Sequence, residues 1–279
     1  MPLLTRKQTA ALVALPALLV PVIEIPLVLW ARATFLERHP DYLDDPPTIS
    51  RSINDPFVGA PFADLILVIT ALIAMMTPVL VWSYALAISR LELSRARRAT
   101  LHVLLLLFLV FQITASAGMV MTTQYTFDIN HDLHMLGSYI FFAFQAMAIL
   151  VAATLCRLLH GEHRRQDIDD EEWQFRPAMH RFRFHFALVI VGLVVLYGIL
   201  FMIKDHIPPD GAYVFQIIYT QCEVIVIGCY VLFLGTYAVD VYDMVHRGKL
   251  PARLGAPSAQ PRLKSDAPSE RGTPEAGPR

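Results

Sequence analysis

The chain has 279 residues, 55% of them hydrophobic and 17% charged, with a formal net charge of −1. That is too apolar for an ordinary soluble domain, and so even a charge balance excludes a general electrostatic attraction to nucleic acid. The apolar residues are gathered into blocks long enough to cross a bilayer, which takes about 20 residues of helix.

Six such blocks run from about 9 to 34, 62 to 89, 100 to 121, 133 to 159, 184 to 203 and 213 to 239. Backbone groups in hydrocarbon must bond within their own segment, so each block is predicted to be a helix. The intervals between them leave no room for a folded soluble domain. The fold class predicted is all-α, a polytopic integral membrane protein built as a six-helix transmembrane bundle over residues 1–243, followed by a tail, 244–279. Which membrane it occupies, and its oligomeric state, the sequence leaves open.

In chain order, the first block follows Arg6 and Lys7 and resembles a signal peptide, but its length, Glu24 and the prolines at 16, 21 and 26 read as a retained first span with bends. Between the fourth and fifth blocks lies an acidic-then-basic stretch, DIDDEEWQF, whose Trp173 and Phe175 suggest a short interfacial segment. Cys156, Cys222 and Cys229 all fall inside spans, where they act as small apolar residues rather than as a disulfide framework. The tail, rich in Pro, Ala, Ser, Arg and Gly, cannot bury enough apolar surface to order itself and is predicted to be disordered. Its basic residues would lie near anionic lipid.

Lys and Arg set the orientation. Arg6 and Lys7, then Arg90, Arg95, Arg97 and Arg98, then Arg157, Arg164, Arg165, Arg176, Arg181 and Arg183 lie on one side, with seven more after the last block. The opposite side holds Arg32, Arg38, Arg51 and Lys204. Both termini are therefore predicted to be cytoplasmic.

Ionisable groups at membrane depth are costly and ask for a partner or a purpose. Glu24 falls in the outer half of the first span, Asp64 near the outer end of the second, Gln112, Thr114 and Ser116 in the third. His131 and His134, in the stretch HDLH, head the fourth span from outside. Glu223 lies about 15 Å into the sixth, deep enough to require a proton or a hydrogen-bonding partner. Positions three, four and seven apart share a helix face. This groups His131, His134, Ser138 and Gln145 on the fourth span, Gln216, Thr220, Glu223, Tyr230 and Tyr237 on the sixth, and Gln112 with Ser116 on the third. Gly118 and Gly137 would let helices approach closely. The stripes predict a polar cavity in the outer half of the bundle, with His134, Glu223, Asp64, Glu24, Gln112 and Ser138 as its candidate lining and His134 at its mouth.

Other chemistries fit less well. Catalytic zinc takes three protein ligands and an open position, whereas HDLH supplies two His, with Asp64 or Glu223 to complete a set. Haem b needs facing axial His, for which His102 and His185 form one conceivable inner pair. There is no Gly-rich phosphate loop and no nucleophile elbow. The reading therefore assigns no metal and no cofactor, and names no catalytic residue.

Three segments carry a resemblance. The first outer loop reads PPTISRSINDP, with Pro47, Ile49 and Ser50; the fourth span opens HMLGSYIFF, with His134 and Gly137; the sixth reads EVIVIGCYVLFLGTYAVD, with Glu223, Phe233 and Asp240. In that order they resemble the FRAG/DRAM/SFK family, which includes the damage-regulated autophagy modulators, the yeast suppressor-of-four-kinase proteins and the Golgi factor that remodels GPI-anchor lipids. The resemblance spans all six blocks, to about residue 243, although Val224 stands where that family usually has Trp. It implies lipid handling, membrane asymmetry or regulation of lipid kinases, and supplies no catalytic mechanism.

The function expected is thus binding, remodelling or regulation of membrane lipids at the outer or lumenal leaflet. An enzyme of lipid acyl transfer or hydrolysis would use His134 as general base, oriented by Glu223 or Asp64, but lacks an evident nucleophile. A non-catalytic scaffold would instead dock a cytoplasmic protein partner on the Arg-rich loops and tail.

Overall fold

The computed structural model describes residues 5–166 and 175–247. The interfacial segment expected at Trp173 and the tail from 248 onward lie outside those residues. Eight α-helices account for the described chain: α1 (Arg6–Arg38), α2 (Ile49–Ser52), α3 (Pro56–Arg90), α4 (Arg95–Gln124), α5 (Phe127–Arg165), α6 (Pro177–Ile203), α7 (Pro209–Gly235) and α8 (Tyr237–His246). Six of the resulting segments, with α7 and α8 counted together, are long and apolar enough to span a membrane. Each exceeds its apolar block because polar residues extend and cap it. Thr5 and Gln8 form a reciprocal capping box at α1, Asp55 caps α3 ahead of Pro56, and the Ser94 hydroxyl accepts from the Arg97 amide at α4.

Two boundaries differ from expectation. The stretch 244–246, expected to open a disordered tail, completes α8. Its apolar face buries Val241, Met244 and Val245, which gives this last segment a reason to stay helical. Phe127–Ile129 adds a turn ahead of the fourth block, and Asn130 then leaves helical geometry (φ −161°, ψ 96°). Its side-chain oxygen accepts from Leu133 N at 3.1 Å and so caps the long part of α5.

The helix α1 stays continuous through Pro16, Pro21 and Pro26. A proline frees the carbonyl four residues before it. For Pro21 that is Ala17, and Gly235 sits against both: a Cβ there would lie 3.2 Å from Pro21 Cγ and 3.6 Å from the Ala17 oxygen.

The long helices form a closed ring in which α1, α3, α4, α5, α6 and α7 each pack on the next, and α7 returns to α1. Long helices consecutive in the chain are thus neighbours in the ring. The tightest pair is α4 with α5. A Cβ on Gly118 would lie 2.6 Å from Phe141 N, and one on Gly137 would lie 2.7 Å from Thr122 N, so the two backbones meet through glycine as expected. At the other extreme, the apolar stretch of α6 is only 11% buried, against 50% for the last segment. Leu106, Ile113, Val195 and Met202 are exposed, which fits faces turned to lipid rather than water.

Candidate functional site

The loop 39–55 closes over one end of the ring and is built to stay there. Asp55 joins three elements: its Oδ1 accepts from Phe57 N at 2.9 Å, while its Oδ2 lies 2.6 Å from Arg38 Nε and 3.1 Å from His39 Nε2. Burial pushes the Asp55 carboxyl up, but the Arg38 guanidinium, the Phe57 amide and His39 together outweigh it and hold the group below its ordinary value. Gly59 then passes so close to the loop that a Cβ would lie 2.1 Å from the Ile53 carbonyl oxygen.

Two hydrogen bonds fasten the middle of the loop to α7. Gln216 Nε2 donates to the Pro46 carbonyl at 3.0 Å, and Ile49 N donates to Glu223 Oε2 at 2.8 Å. Pro47 and Ile49 are buried beneath the loop. Glu223, 2% exposed, thus receives the amide that opens α2. Arg32 reaches the same region from α1, donating to Thr220 Oγ1 at 3.0 Å and placing a positive charge near Glu223.

Beside this latch lies a cleft of about 730 Å³ between the loop, α5, α6 and α7. Its size is that of a small-molecule site. Its rim is charged, with Asp45, Arg51, Lys204 and Asp205, and Arg51 pairs with Asp45 at 3.0 Å. Its inner wall is Phe142, Ala143, Val194, Gly198 and Phe201, and its floor carries Glu223, Tyr197 and Tyr219. The two tyrosines stack at 5.3 Å, with their hydroxyls 3.4 Å apart. A Cβ on Gly198 would meet nothing within 4 Å, so the space beside α6 is open.

Of the expected lining residues, Glu223 and Ser138 line the cleft, as does Ser50 of the loop motif. Glu24 lies deeper, lining two smaller cavities, the nearer of which shares residues with the cleft. Gln112 donates to Gln145 Oε1 at 3.2 Å across the α4–α5 seam and lines none of the three cavities. Asp64 is exposed on the surface of α3 and is not part of the cleft, because its position on the helix turns it away from the bundle.

His134 is not at the cleft mouth either. It is fully buried, with Nδ1 2.9 Å from both the Thr122 and Tyr125 carbonyl oxygens and its ring 4.3 Å from that of Phe127. Two carbonyl neighbours require Nδ1 to carry the hydrogen. His134 therefore caps the carbonyl end of α4, where a donor is needed, and the general-base role in the cleft is closed to it. His131 stays in solvent, so the two His of HDLH diverge. His102 and His185 are both exposed. Among the described residues no group of three His, Cys, Asp or Glu is placed to hold a metal ion.

Sequence reasoning missed the polar centre at the opposite end. Arg183, counted there among the basic loop residues, lies inside α6 and is 0% exposed. It pairs with Asp240 at 2.5 Å, donates to Thr236 Oγ1 and O at 2.8 and 2.6 Å, and lies 4.0 Å from the Tyr237 ring centre. Tyr237 in turn bonds Tyr84 at 2.7 Å, and Asp240 accepts from Arg176 N at 3.1 Å. Phe175, expected at the interface, is buried against Tyr84. The available signal was Arg183 at the edge of an apolar block with Asp240 at the edge of another; spacing alone does not pair them.

Six apolar spans closed into one ring, with buried polar centres inside, define an integral, multi-pass membrane protein. Residues 10–244 match the Frag1/DRAM/Sfk1/Cwh43P N-terminal domain family, and the chain belongs to it. No match was found among curated proteins or solved structures. The structure gives the family resemblance a physical link: the loop motif holding Ile49 and the last-span motif opening with Glu223 are joined by a single hydrogen bond.

Proposed function

We propose that this protein binds a membrane lipid in the cleft, with the headgroup at the charged rim and an acyl chain along the α5–α6 wall. The observation that carries the reading is the gradient within one 730 Å³ space, from Asp45, Arg51 and Lys204 to Phe142, Val194 and Phe201. A lipid has the same gradient, and a site graded this way places each part against its own kind of surface. The weak burial of α6 supports a lateral entry, since a chain can pass beside a helix that few neighbours hold. With both termini cytoplasmic, as the Lys and Arg distribution argues, the cleft faces the outer or lumenal leaflet. The rim carries cations and carboxylates together, which suits a zwitterionic headgroup.

Gly198→Phe tests this directly. The ring enters open space, so the protein folds normally while lipid loses its place. Native mass spectrometry after extraction from phosphatidylcholine vesicles should show retained lipid in the wild type and about tenfold less in the variant. Equal retention in both would end the cleft assignment.

A further inference from the structure

Below the cleft two smaller cavities step inward. A cavity of about 50 Å³ shares Ser50, Ser138, Phe142 and Glu223 with the cleft, and a third of about 10 Å³ shares Glu24, Met119 and Phe141 with the second. The last has room for about one water. It lies far from either end of the ring: Glu24 is 14 residues before Arg38 in α1, about 21 Å at the helical rise.

Two orphaned polar atoms border this small cavity. Glu24 is 2% exposed and its Oε2 has no hydrogen-bond partner; Gln145 is 4% exposed and its Nε2 has none. The Gln145 amide is oriented by Gln112, which donates to its oxygen and leaves the NH2 group to point elsewhere. Tyr230 borders the same space, its hydroxyl hydrogen committed to the Phe142 carbonyl at 2.7 Å and its oxygen free to accept. An acceptor, a donor and a second acceptor around a one-water space are what a bridging water needs.

The charge state follows from the walls. Neither inner cavity is lined by Lys, Arg or His. The titratable groups that face Glu24 there are Glu223 and Tyr230, both from α7; the walls from α3, α4 and α5 contribute none. A buried carboxylate with no cation beside it is strongly disfavoured and takes up a proton. Each cavity shares lining residues with the next as far as the open cleft, which marks the direction from which a proton would come.

We infer that Glu24 is a proton-binding site deep in the bundle, supplied with water and protons from the cleft past Glu223. In the uptake step an O–H bond forms at the Glu24 carboxylate and one breaks on the adjacent water, which recovers its proton along the water file from the cleft. The inference uses the shape of the cleft and is independent of its occupant, so failure of the lipid reading leaves it standing.

Infrared spectroscopy of the full chain in phosphatidylcholine vesicles reads this site through the carbonyl stretch of a protonated carboxyl. The wild type should show such a band, shifting on transfer to D2O within the mixing time. Glu24→Gln should remove it, and Gln145→Leu should move it to higher frequency by deleting a donor. Ser138→Phe, which fills the second cavity, should slow the D2O shift roughly tenfold or more, because exchange then waits for local opening. Should Glu24→Gln fail to fold, the Gln145→Leu displacement assigns the band. A band that never shifts in D2O, or one unchanged by both the Glu24 and Gln145 variants, would overturn the inference. So would loss of the band in sodium chloride but not in choline chloride, which would make the site one for a metal cation.

Discussion

Glu223 and Asp240 are both 2% exposed, both on the last membrane segment, and they are treated in opposite ways. Asp240 faces Arg183 and receives the Arg176 amide, so its charge is neutralised inside the protein. Glu223 receives the Ile49 amide, has the Tyr197 hydroxyl as a second hydrogen-bonding neighbour and borders the cleft, while the cation near it, Arg32, donates to Thr220. Burial is equal, and the kind of partner differs: a buried guanidinium for Asp240, neutral donors for Glu223. A carboxylate paired with a buried cation holds helices together; one held by neutral donors beside a cleft is available to a ligand.

That contrast predicts unequal responses to mutation. The largest belongs to the closed end. Arg183→Met strands Asp240 without its cation and should cost about 3–5 kcal/mol in unfolding measured in detergent, while Arg183→Met with Asp240→Leu should recover most of the loss. A single variant that unfolds like the wild type would erase the distinction between the two ends. Next comes the α4–α5 seam. Gly118→Ala pushes a methyl onto backbone and should cost about 1–3 kcal/mol, with lipid retention unchanged in the protein that remains folded.

The open end should separate stability from binding. Glu223→Ala leaves the Ile49 amide buried and unpaired, a loss of about 1–3 kcal/mol. Glu223→Gln keeps an oxygen for that amide and should cost less than about 1 kcal/mol, yet still weaken lipid retention by removing the acid. If Glu223→Gln retains lipid as well as the wild type does, Glu223 is a loop latch and nothing more.

The smallest effect is a pH dependence at Asp55. Its folded-state pKa is depressed, so its contribution is complete above the ordinary carboxylate value of 3.8 and disappears as pH falls through the lower folded value. Stability should therefore decline in acid, and Asp55→Asn should flatten that part of the profile.

How far the site was legible depended on the residue. Glu223 was conspicuous because a carboxylate well inside an apolar span has few reasons to be there. Gly118 and Gly137 were read correctly because small residues in apolar helices allow backbone approach. Asp64 and His134 misled for one reason: helical spacing places residues on a face without saying which neighbour that face meets. Asp64 proved to point outward, and His134 to point at the carbonyl end of α4. Tyr197 and Tyr219, both on the cleft floor, carry no sequence signal, since aromatic residues are ordinary in membrane helices.

The sequence by itself determined the class of protein, the number of spans and the family, because bilayer thickness and backbone hydrogen bonding leave an apolar block of that length one structure to adopt. Only the tertiary structure decided which polar groups meet. Ile49 reaches Glu223 and Arg183 reaches Asp240 across long stretches of chain, and such pairings depend on how the helices rotate and where the loop settles, which no local periodicity encodes.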